Sequence, residues 1–178
     1  DPHYAEAHFN LSMVLLLTQD FRSGWPEYEW RLKFLDPASG YPNRHGLPLW
    51  SGQCLKGKTV LVFDEQGFGD ALMFCRYLSL LKHSGARVIF EARPELISLF
   101  EMLDSIDRVV PRGMASMSPR GCDFCIPLCS LPGRFNTTVE SIPWDGPYIR
   151  PNPALADRWK DRLREHCRHG RLTAGLVW

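Results

Sequence analysis

The sequence predicts an α/β protein in which an N-terminal helix pair precedes a Rossmann-like domain with a parallel sheet. Apolar runs with the length of buried strands alternate with helix-like runs from residue 59 onward, and this alternation is typical of a parallel sheet covered by helices. Residues 60–70 pass from an apolar run through a glycine pair into a helical pattern. A strand that enters a helix through a tight glycine turn is the first half of a βαβ unit, which binds ligands at the carboxyl end of its strand.

Length, charge and composition limit the class of protein. The chain has 178 residues, which fit one domain or a domain with an appendage, and its hydrophobic fraction of 44% is enough for a packed core. With 21 Lys and Arg against 20 Asp and Glu, the formal net charge is +1, so no basic field exists to bind nucleic acid. No apolar run approaches the roughly 18 residues of a membrane span, and the first residues do not resemble a signal peptide, so we expect a cytoplasmic protein.

Residues 1–35 are expected to form a helical hairpin. Apolar residues recur at helical spacing on both sides of a polar turn at residues 18–20. The run DPHYAEA at residues 1–7, followed by a second helix that begins at Phe21, resembles a tetratricopeptide repeat. A single repeat of this kind cannot bury its own apolar face, so the resemblance implies further repeats before residue 1. The alternative is a two-helix cap that packs on the main domain.

A linker rich in Pro and Gly is expected over residues 36–57, with Trp50 attaching it to the following domain. The Rossmann-like domain is expected over residues 58–151, and residues 152–178 should contain a connecting helix and the first strand of a further domain. The predicted strands are 59–64, 87–92, 107–111, 122–128 and 173–178. The predicted helices of this part are 69–84, 94–104 and 153–168.

The glycine loop after the first predicted strand allows three roles. Gly67 and Gly69 match two of the three glycines of the dinucleotide fingerprint, and Glu91 ends the next strand, where a ribose-binding acid would lie. Against that role, Asp70 would bring a second negative charge to the phosphates, and Leu72 replaces the glycine that allows close packing of helix and strand. Asp70 could instead be only an N-terminal cap, or a carboxylate that takes a proton in a reaction.

Several segments together resemble one family. They are EQGFGD at residues 65–70, FCRYL at 74–78, SLP at 130–132 and GLVW at 175–178. With the helical hairpin they resemble bacterial tetratricopeptide proteins whose C-terminal part is similar to the lipopolysaccharide heptosyltransferases, which have the two-Rossmann GT-B fold. The resemblance implies that Asp70 is the general base on the acceptor side, that Gly67 and Gly69 shape the loop, and that Gln66 contacts substrate. It implies neither a metal nor a cofactor.

Asn136 and Thr137 are a second candidate for substrate contact. Short polar side chains after a predicted strand can hydrogen-bond a sugar, and the same residue types are also common in turns. The chain has six cysteines, which include the group Cys122, Cys125 and Cys129. Strand alternation would place Cys122 on the opposite face from the other two, so we expect reduced core thiols and no metal site.

From these features we expect the acceptor-side part of a glycosyltransferase, which moves a sugar from a nucleotide-sugar donor to a hydroxyl of a sugar or protein acceptor. The donor would bind to a second domain that the 178 residues do not contain, so this chain by itself should not turn over. One alternative is a non-enzymatic tetratricopeptide and Rossmann-like module that binds a protein partner. The other alternative is a dinucleotide-binding domain.

Overall fold

The computed structural model describes residues 1–34, 46–113 and 121–166. The chain divides into two compact units, Asp1–Tyr148 and Ile149–Trp178. The first unit contains a helical hairpin and a parallel sheet, and the second contains a helix. Among the described residues, no helix combines the length and the apolar composition that a membrane crossing requires.

The hairpin begins the first unit. Its elements are α1 (Ala5–Leu17), α2 (Phe21–Tyr28) and the short α3 (Arg31–Phe34). Asp20 caps α2, because its carboxylate accepts a hydrogen bond of 3.2 Å from the backbone N–H of Ser23. The two longer helices approach closely at Gly24, where an added Cβ atom would lie only 2.7 Å from Cδ2 of Leu16. The lack of a side chain at this position therefore lets α2 pack directly on α1.

Over the described residues, the sheet has four parallel strands in the order β3-β2-β1-β4. They are β1 (Thr59–Phe63), β2 (Arg87–Ala92), β3 (Arg108–Pro111) and β4 (Phe124–Pro127). β1 is an inner strand, and its Val62 lies opposite Phe90 of β2 and Ile126 of β4. The predicted α/β class, the parallel sheet and the inner position of the first strand are confirmed. The strand predicted at 173–178 lies outside the described residues.

Helices follow three of the four described strands, and those between β1 and β2 and between β2 and β3 allow these strands to run parallel. They are α4 (Phe68–Phe74) and α5 (Leu78–His83) after β1, α6 (Ile97–Phe100) after β2, and α7 (Leu131–Arg134) after β4. The helix predicted at 69–84 is thus divided in two, by a 3-10 turn at Cys75–Tyr77. The helix predicted at 94–104 begins with a 3-10 turn at Pro94–Leu96 and ends at Phe100, so it is shorter than expected.

The second unit contains α8 (Pro153–His166), which begins where the sequence predicts. The side chain of Asn152 caps it, because its Oδ1 accepts a hydrogen bond of 3.2 Å from the backbone N–H of Leu155. Charged side chains pair along the helix surface, as Lys160 does with Asp157 at 3.0 Å. Such exposed pairs contribute little to stability, so the cap and the helix-forming composition matter more for this element.

The core of the first unit is built on β1. The side chains of residues 60–63 are fully buried. A strand that is buried on both faces is apolar at every position, which explains the continuous apolar run in the sequence. On one face of the sheet, Leu61 and Phe63 pack with Ile89 of β2, Val110 of β3 and Cys125 of β4.

Part of the predicted linker is attached to the edge of the sheet. The backbone N–H of Cys125 donates to the carbonyl of Pro48, and the N–H of Trp50 donates to the carbonyl of Cys125, both at 2.9 Å. The ring of Trp50 is buried against that of Phe135, with ring centroids 5.6 Å apart. The predicted attachment of this segment through Trp50 is confirmed.

Candidate functional site

The candidate site is the loop of residues 64–67, which leaves the carboxyl end of β1 and enters α4. Ligands of open α/β sheets bind beyond the carboxyl ends of the strands, so this is the edge at which a site is expected. The first residue of the loop, Asp64, is fully buried. Its carboxylate accepts a hydrogen bond of 3.1 Å from the backbone N–H of Arg93 and lies 3.5 Å from Nη1 of Arg112. The loop is therefore anchored to the ends of β2 and β3.

Glu65 anchors the same loop to the helical hairpin. Its carboxylate forms a bidentate pair with Arg31 of α3, with Nη2–Oε1 and Nε–Oε2 distances of 2.7 and 3.1 Å. Oε1 of Glu65 also accepts a hydrogen bond of 2.9 Å from the backbone N–H of Cys129. Arg31 in turn donates to the hydroxyl of Ser130 at 2.8 Å. Both charged groups are buried, so their hydrogen bonds compensate for the loss of solvation.

Gln66 has a strained backbone. Of the described residues, Gln19, Gln66 and Asn136 are the non-glycine residues with positive φ. Gln19 and Asn136 directly follow the last residues of α1 and α7 and their caps, a position where left-handed residues are common. Gln66, with φ +58°, lies between a strand and a helix, so no helix end explains it. Its side-chain Nε2 donates a hydrogen bond of 2.7 Å to the hydroxyl of Tyr28 in α2.

Gly67 and Asp70 form the start of α4. Oδ2 of Asp70, the third residue of the helix, accepts a hydrogen bond of 2.9 Å from the backbone N–H of Gly67. An added Cβ atom on Gly67 would lie 3.1 Å from that oxygen, so a glycine lets the carboxylate approach. At Gly69 an added Cβ atom would meet nothing within 4 Å. A side chain at Gly67 would therefore need a small shift of the Asp70 carboxylate, whereas the space at Gly69 would accept a side chain.

A cleft of about 370 Å³ opens between the helical hairpin and α4, and we call it the loop cleft because Gln66 and Asp70 line it. The hairpin contributes apolar and aromatic residues, which are Phe9, Met13, Leu16, Phe21, Trp25 and Tyr28. The opposite wall adds Met73, Phe74, Arg76, Tyr77 and Ile142. A mostly apolar cleft with a few polar groups is typical of a binding site for a small molecule.

Asn136 and Thr137 line a different cleft, of about 350 Å³, which we call the turn cleft. Phe21 and Trp25 line both clefts. The indole Nε1 of Trp25 donates a hydrogen bond of 2.9 Å to the carbonyl of Thr137, so this side chain separates the two spaces. The structure thus brings Gln66 and Asp70 together, and it does not bring Asn136 and Thr137 to the same cleft.

Asn136 and Thr137 form the turn that ends α7, and this turn accounts for their backbone conformation. The backbone N–H groups of Asn136 and Thr137 donate to the carbonyls of Gly133 and Pro132 at 3.1 and 2.9 Å, which closes the end of α7. Thr137 is buried, and its side chain is hydrogen-bonded to the hydroxyl of Tyr77. Asn136 is exposed at the rim of the turn cleft, which leaves it accessible to a ligand.

The two tyrosine hydroxyls near the loop cleft remain protonated. Burial raises the pKa of Tyr28, and the nearby Cys129 thiol raises it further, against the lowering effect of Arg31. Burial also raises the pKa of Tyr77. Because a protonated hydroxyl both donates and accepts, these groups can hold side chains in place, but neither is suited to take a proton near neutral pH. Among the residues that line the loop cleft, Asp70 is the one with a carboxylate.

Of the described cysteines, Cys75, Cys125 and Cys129 lie in the core as expected, whereas Cys122 is partly buried and Cys54 is exposed, so the expectation of a core position is wrong for Cys54. Cys125 and Cys129 are buried, and burial raises the pKa of the Cys129 thiol. Burial likewise raises the pKa of the Cys75 thiol to about 12. Such thiols are unreactive, because the thiolate is the nucleophile. In the part of the chain that the structure describes, no group of three or more His, Cys, Asp and Glu side chains is placed to hold a metal ion.

Sequence reasoning missed three residues that hold the loop, namely Tyr28, Arg31 and Glu65. Tyr28 and Arg31 are three positions apart, so a helix would place them side by side. Glu65 lies two residues after a buried strand, where an ionisable residue needs a partner. These signals point to a paired charge at the loop, but they do not name the partner. The pairs Arg31–Glu65 and Tyr28–Gln66 lie 34 and 38 residues apart and depend on how the hairpin packs on the sheet.

The chain is similar to a curated bacterial protein. The chain is 27% identical over 193 aligned positions to Protein FlbA of Caulobacter vibrioides, and the alignment covers 98% of this chain and 31% of that protein. The chain thus spans less than a third of the length of this relative. No family model matches the chain, and no solved structure matches it significantly. The name of the relative states no activity, so the function must be argued from the geometry of the site.

Proposed function

We propose that this chain is the acceptor-side part of a nucleotide-sugar-dependent glycosyltransferase, with Asp70 as the general base. The observation that supports this most is the position of Asp70, which lines the loop cleft at the carboxyl edge of an inner strand. Gln66, in the loop that precedes α4, lines the cleft as well. A carboxylate and an amide at one end of a mostly apolar cleft suit a ligand that presents a hydroxyl to them.

The proposed reaction is a displacement at the anomeric carbon of the donor sugar. The oxygen of an acceptor hydroxyl forms the new bond to that carbon, and the nucleotide leaves with the electron pair of the bond that breaks. As the acceptor oxygen bonds to the anomeric carbon, the proton of the acceptor hydroxyl passes to the carboxylate of Asp70. A carboxylate has about four lone-pair sites, so the hydrogen bond from Gly67 leaves Asp70 able to accept this proton.

Aromatic side chains would hold the acceptor against the loop. The apolar face of a sugar ring packs well on aromatic rings, and Trp25 and Tyr28 are edge-to-face neighbours in the cleft wall, with centroids 6.1 Å apart. The nucleotide of the donor would bind to another part of a longer protein. On this proposal, the isolated chain binds acceptor but does not transfer sugar.

The proposal is tested on the natural protein that contains this chain. It is incubated with a cell extract and a panel of radiolabelled nucleotide sugars, and label in protein, polysaccharide and lipid-linked fractions is counted. We expect incorporation from one donor, and a strong decrease in a Met73→Trp variant. Met73 is half exposed and lines the loop cleft, so a larger side chain there obstructs the cleft without disturbing the core.

The matched control is Met102→Trp. Met102 is also exposed, and it is not among the residues that line either cleft. Incorporation should be as in the wild type. If no donor gives incorporation above background, or if both variants lose the same fraction of it, the glycosyltransferase proposal is rejected.

A second candidate is a non-enzymatic interaction module. The observation that favours it is the surface of α1, where Leu11, Val14 and Leu17 are exposed to 47, 58 and 84%. Apolar residues exposed along one helix are typical of a contact with another helix or protein. The test uses a strain from which the gene of the natural protein is deleted. If the Asp70→Asn variant restores the wild-type phenotype of this strain and the Val14→Glu variant does not, this function is favoured over catalysis.

A further inference from the structure

We infer that Tyr28 is a positioning residue, whose hydroxyl holds the loop that leads to Asp70 through a hydrogen bond to Gln66. The inference depends on the proposed function only for the task of Asp70, since the hold on the loop is a matter of structure. On this inference, the helical hairpin helps to fix the geometry of the site. Tyr28 belongs to α2 of the hairpin, and Gln66 belongs to the loop after β1.

The first argument is the conformation of Gln66. A residue with a side chain costs roughly 1–2 kcal/mol in the left-handed region, and such strain persists only where the surroundings impose it. Gln66 has φ +58° and is the one described non-glycine residue with positive φ that does not close a helix end. Its side-chain Nε2 donates a hydrogen bond of 2.7 Å to the hydroxyl of Tyr28. This bond is therefore in a position to maintain the strained turn.

The second argument is that Tyr28 is itself fixed. It is buried, with 6% of its surface exposed. The guanidinium of Arg31 lies 4.4 Å from its ring centroid, and the rings of Phe9 and Trp25 are neighbours at 5.8 and 6.1 Å. A ring held on several sides presents its hydroxyl at one place. The hydroxyl is thus a fixed support and not a mobile group that follows the loop.

The third argument is the arrangement on either side of Gln66. The carboxylate of Glu65 accepts hydrogen bonds from Arg31 and from the backbone N–H of Cys129, which restrain the chain on that side. On the other side, the N–H of Gly67 donates to Oδ2 of Asp70 at 2.9 Å. Any change in the backbone of Gln66 must therefore move the N–H of Gly67, and the carboxylate of Asp70 with it. Loss of the Tyr28 hydroxyl should release this part of the loop.

The experiment measures hydrogen exchange of the Gly67 amide by NMR in the purified chain, together with thermal melting. Tyr28→Phe removes the hydroxyl and keeps the ring. Gln66→Met removes the amide of the same hydrogen bond from the other side and keeps the length of the side chain. We expect either variant to speed exchange at Gly67 by roughly fivefold, the effect of losing one ordinary hydrogen bond. The double variant should exchange no faster than the single variants, because both remove the same bond.

Tyr77→Phe is the matched control. Tyr77 lines the same cleft, is buried to a similar degree and uses its hydroxyl on Thr137. The Tyr77→Phe substitution should leave the hydrogen-exchange rate of the Gly67 amide unchanged. Unchanged exchange in Tyr28→Phe or in Gln66→Met, or an equal effect of Tyr77→Phe, overturns the assignment of Tyr28. None of these measurements uses a sugar or a donor, so they test the positioning role of Tyr28 independently of the glycosyltransferase proposal.

Discussion

Arg31 and Glu65 form a bidentate ion pair that is buried between the helical hairpin and the end of β1, with N–O distances of 2.7 and 3.1 Å. Arg31 is completely inaccessible to solvent and Glu65 is 4% exposed. A buried pair of charges adds little net stability, because desolvation offsets the attraction, but separating the partners would leave a buried charge without compensation. We therefore regard this pair as the feature that fixes the hairpin against the candidate loop.

The first prediction concerns this pair. Arg31→Met should lower the free energy of unfolding by about 3–5 kcal/mol, because it leaves the carboxylate of Glu65 buried without its main partner. Urea denaturation measures the change. Arg31→Met/Glu65→Gln should recover part of the loss, since the second substitution removes the uncompensated charge.

Arg134→Met is the control for that prediction. Arg134 forms a looser pair with Glu29 at 3.5 Å, and both side chains are partly exposed. Its loss should change the free energy of unfolding by less than about 1 kcal/mol, as for other exposed pairs. Equal shifts in the two single variants would show that the buried pair has no special part in the fold.

The second prediction separates the two roles of Asp70. Asp70→Asn retains an oxygen that can accept from the N–H of Gly67, so unfolding should change by at most about 1 kcal/mol, the order of one charge at a helix start. If Asp70 is the general base, the same substitution lowers the turnover number of the natural protein by roughly 10²–10⁴-fold. Thermal melting and the radiolabel assay measure the two effects. Near-wild-type turnover would leave Asp70 as a cap alone.

The third prediction concerns dinucleotides. We expect no measurable affinity of this chain for NAD in titration calorimetry. The N–H of Gly67, which a pyrophosphate would need, already donates to the carboxylate of Asp70, and that charge repels phosphate. Glu91 is 7% exposed within the sheet, so it is not open to a ribose. Saturable binding in the micromolar range would restore the dinucleotide alternative.

The fourth prediction concerns pH and the hairpin. The carbonyl of Pro2 and the carboxylate of Glu27 both accept from the ring of His8, and these hydrogen bonds raise the pKa of His8 above its usual 6.5. A raised pKa in the folded state means that protonation favours folding. The contribution should be complete below pH 6.5 and lost as the pH rises through the pKa of the folded protein.

Urea denaturation between pH 5.5 and 8.5 tests this dependence, with an NMR titration of the His8 ring to locate the pKa. The matched variant is His8→Gln, which cannot titrate and should lose this part of the pH dependence. A His8 pKa below 6.5 in the folded protein would contradict the role of the two hydrogen bonds.

Local patterns in the sequence account for the elements of the fold. The apolar run of residues 60–63 predicts an inner strand because a strand covered on both faces must be apolar at each position. The glycine pair after it predicts a tight entry into a helix, and α4 begins at Phe68 between the two glycines. The 3-10 turn that divides the next helix at Cys75–Tyr77 was not predicted, because such breaks depend on packing against neighbouring elements more than on local propensity.

The sequence by itself determined the α/β class, the parallel alternation and the presence of an acid at the glycine loop, because these follow from patterns over a few consecutive residues. Only the tertiary structure decided which residues share a site. Gln66 and Asp70 line one cleft with Trp25 and Tyr28 of the hairpin, and Asn136 lines another. Residue type and spacing indicate what a side chain can do, whereas its partners depend on how the hairpin packs on the sheet, tens of residues away along the chain.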